Sequence, residues 1–445
     1  MAKKRILILG AGLAGLSAAW HLQKKGIDCQ IFEKEPEVGG LCRSKNINGF
    51  TPPLRAGAGF TFDYSGHLLH FRHPYTFNFI KGLLGNNLAK HKRNTWIYSY
   101  GRYSRYPFQA NLYGLPAKTI KECLLGFIQT FNNGQLKKKK NLNFRDWVNH
   151  TFGKGIARHF MIPYNTKFWT VSPQELTCEW LDGFIPVPSL SQIIEGTIEE
   201  SQRQFGYNAR FWYPKKGGIS QVPLALASQI KNIFTNCQIV EINLDKKEIK
   251  MDSGDKERFD YLISTIPLPQ MPFLVRGLSN EISLAFKKLR WNSIFNLNLG
   301  IDRKDSSGRH WVYFPQEEIC FFRAGFPHNF SSSLVPLDKS SLYVEVSYSK
   351  DKPIDKSGIV LRIKKDLKKV GILTRDDRIC SQDINDIKYG YPIYDINYSQ
   401  ARKDIINFLG QNDILTCGRY GNWRYMTMED VILDGKRIAE SLIYK

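Results

Sequence analysis

Near the start of the chain, Gly10-Ala11-Gly12-Leu13-Ala14-Gly15 sets three glycines in the pattern G-x-G-x-x-G. That spacing suits the binding of a dinucleotide. The first glycine permits a tight turn and the second lets the backbone come up against a pyrophosphate. The third lets a helix pack close on a strand, with the anion at the helix N-terminus. Leu13 and Ala14, inside the motif, count with the cofactor-binding residues. Glu33 ends the next apolar run, where a carboxylate accepts ribose hydroxyls, and Lys34 stands beside it. A second glycine pair follows in Gly39-Gly40-Leu41. NAD dehydrogenases do not need such a pair, whereas FAD enzymes of the glutathione-reductase type use one to bring backbone up to the cofactor. The expected cofactor is FAD.

These residues need a strand before the glycines and a helix after them. Residues 5–9 form a short apolar run that reads as a buried parallel strand. Residues 16–25 have helical periodicity and end at Gly26, a C-cap, and residues 29–33 read as the second strand. A further strand-rich block spans 238–266 and holds the turn Asp252-Ser253-Gly254-Asp255. Helical stretches are expected at 117–131 and 144–160, and a closing helix at 429–442. The fold class is α/β. A discontinuous Rossmann-like FAD-binding domain of the glutathione-reductase type takes residues 1–75, 206–275 and 385–445. A mixed α+β substrate-binding domain, inserted in two pieces, takes 76–205 and 276–384.

Composition narrows the class. The 445 residues suffice for two domains, and 42% apolar with 23% charged content describes an ordinary globular chain. The net charge of +22 comes from basic residues spread along the chain, with one dense run at Lys137-Lys138-Lys139-Lys140 that reads as a solvated loop or helix end. No nucleic-acid module accompanies it, so nucleic acid is not an expected partner. Such a field draws in an anionic substrate, or holds the protein near an anionic membrane surface. The eight cysteines show no CxxC pair and no Cys/His cluster, which argues against a metal site and a disulfide scaffold and fits a reducing, cytoplasmic setting. Lys3-Lys4-Arg5 before an apolar run imitates a secretory signal, but the glycine spacing and the lack of a long apolar run argue against a signal or a transmembrane segment.

Further motifs recur in an order that resembles the flavin-dependent UDP-galactopyranose mutases, eukaryotic-type branch, within the amine-oxidase-like superfamily. They are Gly66-His67, Tyr106-Pro107-Phe108-Gln109, Pro163-Tyr164-Asn165 with Trp169, and Asn208 before Phe211-Trp212-Tyr213-Pro214. Then come Trp311-Val312-Tyr313-Phe314-Pro315, Phe322-Arg323-Ala324, Tyr389-Gly390-Tyr391-Pro392 and Gly418-Arg419-Tyr420-Gly421-Asn422-Trp423-Arg424-Tyr425. The resemblance implies that Gly66 and His67 approach the flavin, with Ile239, Gly418, Arg419, Tyr425 and Met426 as further cofactor contacts. It implies that Arg93, Gln109, Tyr164, Asn165, Trp169, Phe184, Asn208, Trp311 and Tyr313 line the substrate site. Arg323 would grip a diphosphate, helped by Tyr391 and Tyr425, so that His67, Arg323, Tyr391 and Tyr425 carry the chemistry. The implied substrate is a nucleotide-sugar, and the implied reaction is a pyranose-to-furanose ring contraction in surface polysaccharide biosynthesis. The resemblance also implies reduced FAD as the active form, with N5 as nucleophile and NAD(P)H or another compound as reductant.

Three departures bear on the substrate. Where the family has a second diphosphate-binding arginine, shortly after Trp180-Leu181, the chain reads Asp182-Gly183-Phe184-Ile185, and Arg203 or Arg210 is the expected substitute. Residues 51–59 form an extra segment. Glu429 stands where an asparagine is expected, with Asp430 next to it. The alternative reading is a redox flavoenzyme of the amine-oxidase or protoporphyrinogen-oxidase type.

Overall fold

Ile6–Leu9, buried at every residue, is the central strand of a five-stranded sheet. The order across that sheet is Ile414–Thr416, Tyr261–Ser264, Ile6–Leu9, Cys29–Phe32, Ile233–Phe234, and every pairing is parallel. Parallel strands are covered on both faces, which is why these runs are continuously apolar rather than alternating. The chain is seen here as a computed structural model that describes residues 4–48, 59–132, 142–181, 183–200, 203, 205–206 and 209–443. Asn208, the extra segment over 51–58 and the lysine run at 137–140 lie outside the described residues.

The first helix is Leu13–Gln23, three positions earlier than the periodicity predicts. Gly12 is its N-cap, in extended conformation, so the glycine turn opens directly into the helix. The helix is buried around most of its surface, and its outer side meets the closing helix, Met428–Ile443. There the Ser17 hydroxyl donates to the Ile432 carbonyl at 2.7 Å, beneath Gly435.

A seven-stranded sheet lies apart from the first. Its order is Ile379–Pro392, Trp291–Ile301, Ser340–Tyr348, Arg323–Gly325, Trp311–Tyr313, Thr95–Ser99, Arg102–Arg105. Its pairings are antiparallel except Trp311–Tyr313 with Thr95–Ser99. Side chains alternate across a strand. Leu297, Leu299, Val344 and Val346 therefore pack on helix Ile359–Lys369, while Asn296, Asn298, Tyr343 and Glu345 take the opposite face. Strand Ile379–Pro392 pairs with Trp291–Ile301 along its length, so the boundary expected at 385 falls inside one strand.

The helix expected over 144–160 is three pieces. Phe144–Ile156 contains Gly153 at φ 77°, a π-helical turn covers Ala157–Met161, and Ile162–Trp169 continues beyond the expected end. Thr170, in the left-handed region, ends it. This broken path delivers Tyr164, Lys167 and Phe168 to the segment that joins strands Trp311–Tyr313 and Arg323–Gly325 of the seven-stranded sheet. All eight cysteines are free thiols, and among the described residues no helix is long and apolar enough to cross a membrane.

Candidate functional site

The glycine motif is built as a phosphate cradle. A Cβ on Gly15 would lie 2.0 Å from the Gly10 carbonyl oxygen, so only glycine lets the helix start this close to the strand. The helix N-terminus carries no side-chain cap and no acidic residue in its first turn, which leaves its N–H groups to an anion. Gly39 N–H donates to the Ala11 carbonyl at 2.8 Å and seats the second glycine pair against the first. A Cβ on Gly40 would lie 3.3 Å from Gly12 Cα. Glu33 is buried, and its carboxylate accepts from Ala11 N–H at 2.7 Å and Glu35 N–H at 3.0 Å. Gly418, at φ 78°, closes the cradle from the other end: a Cβ there would lie 2.4 Å from the Ala14 Cβ. Its N–H donates to Asp434 at 2.7 Å. Leu41 is half-buried beside Gly40, and Ile239 and Met426 are buried. Lys34 is exposed and pairs with Glu35 at 3.5 Å. The uncapped helix end, the bare double-glycine surface and the carboxylate at the second strand together fit an adenine dinucleotide.

Beside the cradle lies a cationic cleft. Arg323 and Glu345 stand directly opposite on adjacent antiparallel strands. One edge of the guanidinium is held at two points, with Nη2 2.8 Å from Oε1 and Nε on Oε2. The Ser65 hydroxyl donates to the same carboxylate, which ties the loop carrying His67 to the sheet. Arg419 is different. Its Nη2 donates to the Gly390 carbonyl at 2.9 Å, and its guanidinium lies 4.5 Å from the Tyr391 ring centroid and 5.1 Å from that of Tyr425. Its Nε is buried with no hydrogen-bond partner. An orphaned N–H on a buried cation is costly unless an acceptor arrives.

His67 sits between these charges. Burial pushes its pKa down to about 4, and Arg419 and Arg323 add to that shift against Ser65 and Glu345. The ring is neutral at ordinary pH. Nδ1 lies 3.1 Å from the Ser65 carbonyl, which can only accept, so Nδ1 carries the proton and Nε2 is an acceptor.

Aromatic rings form the remaining wall. Tyr391 and Tyr425 are stacked at 6.0 Å, and Phe184 meets Tyr425 edge-on at 4.9 Å. Asn292 fixes Tyr391, accepting its N–H at 2.8 Å and donating to the Phe168 carbonyl at 2.6 Å. Tyr164 meets Tyr313 at 5.3 Å and Phe322 at 6.4 Å, and Phe168 meets Tyr391 at 4.6 Å. Arg93 is buried over the Tyr106 ring at 4.7 Å and donates to the Phe205 carbonyl at 2.8 Å. Gln109 donates to the Pro186 carbonyl at 2.7 Å, while its buried Oε1 has no partner.

The structure thus brings His67, Arg323, Arg419, Tyr391, Tyr425 and Phe184 together, with Tyr164 and Tyr313 adjoining. Trp169 is a core residue, 5.0 Å from Trp180, and adjoins the cleft through the Tyr391 ring at 6.0 Å. Other expected residues sit elsewhere. Asn165 donates to the Met161 carbonyl within its own helix. Trp311 is buried against Phe211 at 5.9 Å. Of the two candidates for a second arginine, Arg203 pairs at the surface with Glu195 at 3.0 Å, and Arg210 is exposed on strand Arg210–Pro214. Glu429 has its own task. Buried beneath Arg72, it accepts from the N–H groups of Arg72 and His73 at 2.9 to 3.0 Å and from Thr76, so it satisfies the N-terminus of helix Pro74–Leu84. An asparagine could not accept at both oxygens.

Sequence reasoning missed Glu345, Ser65, Asn292 and Phe168. Glu345 had a signal: a lone acid between Val344 and Val346 in an apolar strand requires a partner. Among the described residues, no group of three or more His, Cys, Asp or Glu side chains could hold a metal ion.

Residues 13–443 match the family model described as flavin containing amine oxidoreductase. Over 48 residues the chain is 46% identical to a zeta-carotene-forming phytoene desaturase from Myxococcus xanthus; the match spans 11% of this chain and 9% of that protein. Over 46 residues it is 44% identical to protoporphyrinogen oxidase 2 of Arabidopsis thaliana, 10% of this chain and 9% of the relative. Among solved structures, a crystal structure of reduced UDP-galactopyranose mutase superposes with a TM-score of 0.92 at 27% identity, covering 99% of this chain and 96% of that one. A putative protoporphyrinogen oxidase from Exiguobacterium sp. 255-15 shares the fold, with a TM-score of 0.77 at 15% identity over all of both chains.

Proposed function

The chain belongs to the family of flavin containing amine oxidoreductases, and on that premise we propose that it is an FAD-dependent sugar-nucleotide mutase interconverting pyranose and furanose forms. The observation that carries the reading is the likeness to reduced UDP-galactopyranose mutase over nearly the whole of both chains, joined to a cleft walled by two arginines and two stacked tyrosines. Bound in the cradle in its reduced form, FAD supplies an electron-rich nitrogen. The residues of the chain do the rest. Arg419, with an unused N–H, and Arg323, with one edge tied to Glu345, offset the charge of a leaving diphosphate. The hydroxyls of Tyr391 and Tyr425 donate to its oxygens. His67 stays neutral, so Nε2 accepts a hydrogen bond from a sugar hydroxyl without adding charge. Tyr164 and Tyr313 offer ring faces to the base or the sugar, and their packing keeps water out.

A second reading has its own support. The curated relatives include desaturases and a protoporphyrinogen oxidase, and Phe184 puts an apolar ring against Tyr425. Such a wall suits an apolar substrate that donates hydride to the flavin. One experiment separates the two. Dithionite-reduced protein is incubated with a panel of UDP-sugars and the products are chromatographed. The mutase reading expects an isomeric sugar nucleotide with no net use of reductant. Absence of any isomer, with aerobic peroxide release from an apolar substrate instead, would overturn it.

A further inference from the structure

Outside the groups already described, one buried lysine has an unusual setting. Lys167 lies on helix Ile162–Trp169, three residues after Tyr164, and is almost wholly buried. Its ammonium reaches into the loop that joins strands Trp311–Tyr313 and Arg323–Gly325. There it donates to the carbonyls of Phe314 at 2.8 Å, Ile319 at 2.8 Å and Phe321 at 3.3 Å, and to that of Gln316. Carbonyl oxygens that converge on one point repel each other, so this loop conformation needs a donor group at its centre, and these acceptors favour the protonated amine against the burial that pushes its pKa down to about 7. An ammonium, compact and with three donors, suits that point better than a planar fork.

The strands on either side of the loop carry the cleft. Tyr313 and Arg323 are paired in register across the hairpin, and Phe322 follows directly from the caged Phe321. The helix carries the facing rings, Tyr164 and Phe168. The two elements approach through ring edges, which slide easily, and Lys167 supplies a directional contact between them. On the outer side the loop is held separately, by Cys320 N–H on Asp366 at 2.8 Å and by Arg362 on the Glu318 carbonyl at 3.2 Å.

We propose that Lys167 is a positioning residue: it pins the 314–322 loop to helix Ile162–Trp169 and so sets where Arg323 and Tyr313 stand against Tyr164. This rests on the proposed function only in taking the cleft as the nucleotide site.

The test uses FAD-loaded full-length protein, with Lys167→Met as the variant that keeps the length of the side chain but removes charge and donors. Two readouts are taken: hydrogen exchange of the 314–323 segment, and UDP affinity from the flavin absorbance change. The expected result is retained flavin, faster exchange across 314–323 and in the peptide carrying Tyr164 and Phe168, and a UDP affinity weaker by about tenfold or more, since small misplacements at such sites are costly. Arg362→Ala, which removes the outer contact to Glu318 and the ion pair to Asp366 but none of the bonds made by Lys167, should leave UDP affinity within about twofold. Unchanged exchange in Lys167→Met overturns the proposal, and so does faster exchange with unchanged UDP affinity. Should Lys167→Met fail to fold, Lys167→Gln keeps two N–H donors and should show the same two changes at smaller size; wild-type values in both would refute the pin. If wild type itself does not bind UDP, the functional reading falls instead. The exchange data then decide alone: faster exchange in both segments upholds the pin, and faster exchange confined to 314–323 overturns it.

Discussion

Arg323 faces Glu345 across two adjacent antiparallel strands, and one edge of its guanidinium is engaged twice by that carboxylate, Nη2 lying 2.8 Å from Oε1. The pair is nearly dry on the acid side, with 2% of the Glu345 side chain exposed. A ligand in the cleft therefore meets an arginine whose orientation is already set.

Removing either partner should have a different signature. Glu345→Ala leaves a buried cation without its counter-charge, and it should destabilise the protein by about 3–5 kcal/mol in urea unfolding. Arg323→Ala should retain flavin but weaken UDP binding by about 2–4 kcal/mol. If Arg323→Ala binds UDP as wild type does, the diphosphate has been placed at the wrong arginine.

The cradle makes a prediction independent of the substrate. Gly15→Ala puts a methyl group 2.0 Å from the Gly10 carbonyl oxygen, so the helix must retreat from the strand and carry its N–H groups away from the pyrophosphate. The purified variant should be colourless, with an absorbance near 450 nm below about a tenth of wild type, because losing part of a backbone anion site typically costs more than about 1.4 kcal/mol, a factor of ten. A fully yellow Gly15→Ala protein would refute this account of the motif.

Phe184 tests the substrate class. It lies 4.9 Å from Tyr425, whose ring lies 5.1 Å from the Arg419 guanidinium. Phe184→Arg should leave UDP affinity equal or better, by up to about tenfold, if the natural ligand is a nucleoside diphosphate. Arg203→Ala should bind UDP as wild type does, since that side chain is engaged with Glu195 at the surface. Should Phe184→Arg create a UDP affinity that wild type lacks altogether, the natural substrate is not a UDP-sugar.

Acid should destabilise the fold through His310. The ring is buried, its Nδ1 accepts from Asn94 N–H at 2.9 Å, and burial with the nearby His91 pushes its pKa down to about 3. The unfolded chain takes up a proton near pH 6.5 and the folded chain does not. The contribution is therefore complete above 6.5 and is lost as the pH falls from there towards 3. Thermal melts across that window should show the melting temperature falling, with a shallower slope in His310→Gln. Parallel slopes in the two proteins would show that other groups govern the acid limb.

The residues that make the cradle are neighbours in the chain. Gly10 to Gly15 run from the end of one strand into a helix, and Glu33 and Gly39-Gly40 follow the next strand, so their spacing alone specifies the turn, the helix start and the place of the carboxylate. A turn that only glycine fits is a local constraint, and local constraints are written in local sequence. The cleft is different. His67, Tyr164, Arg323, Glu345, Tyr391, Arg419 and Tyr425 come from separate loops, strands and helices, and resemblance could propose several of them but not their relations. Whether Arg323 stands alone or is tied depends on strand register, which puts Glu345 opposite it. Whether Trp169 and Trp311 line a site or fill a core depends on how distant elements pack around them. Glu429 reads as a departure in sequence, yet in the structure it satisfies a helix end some 350 positions away. Burial, charge pairing and hydrogen-bond satisfaction between such distant residues are properties of the assembled chain, so only the tertiary structure decided them.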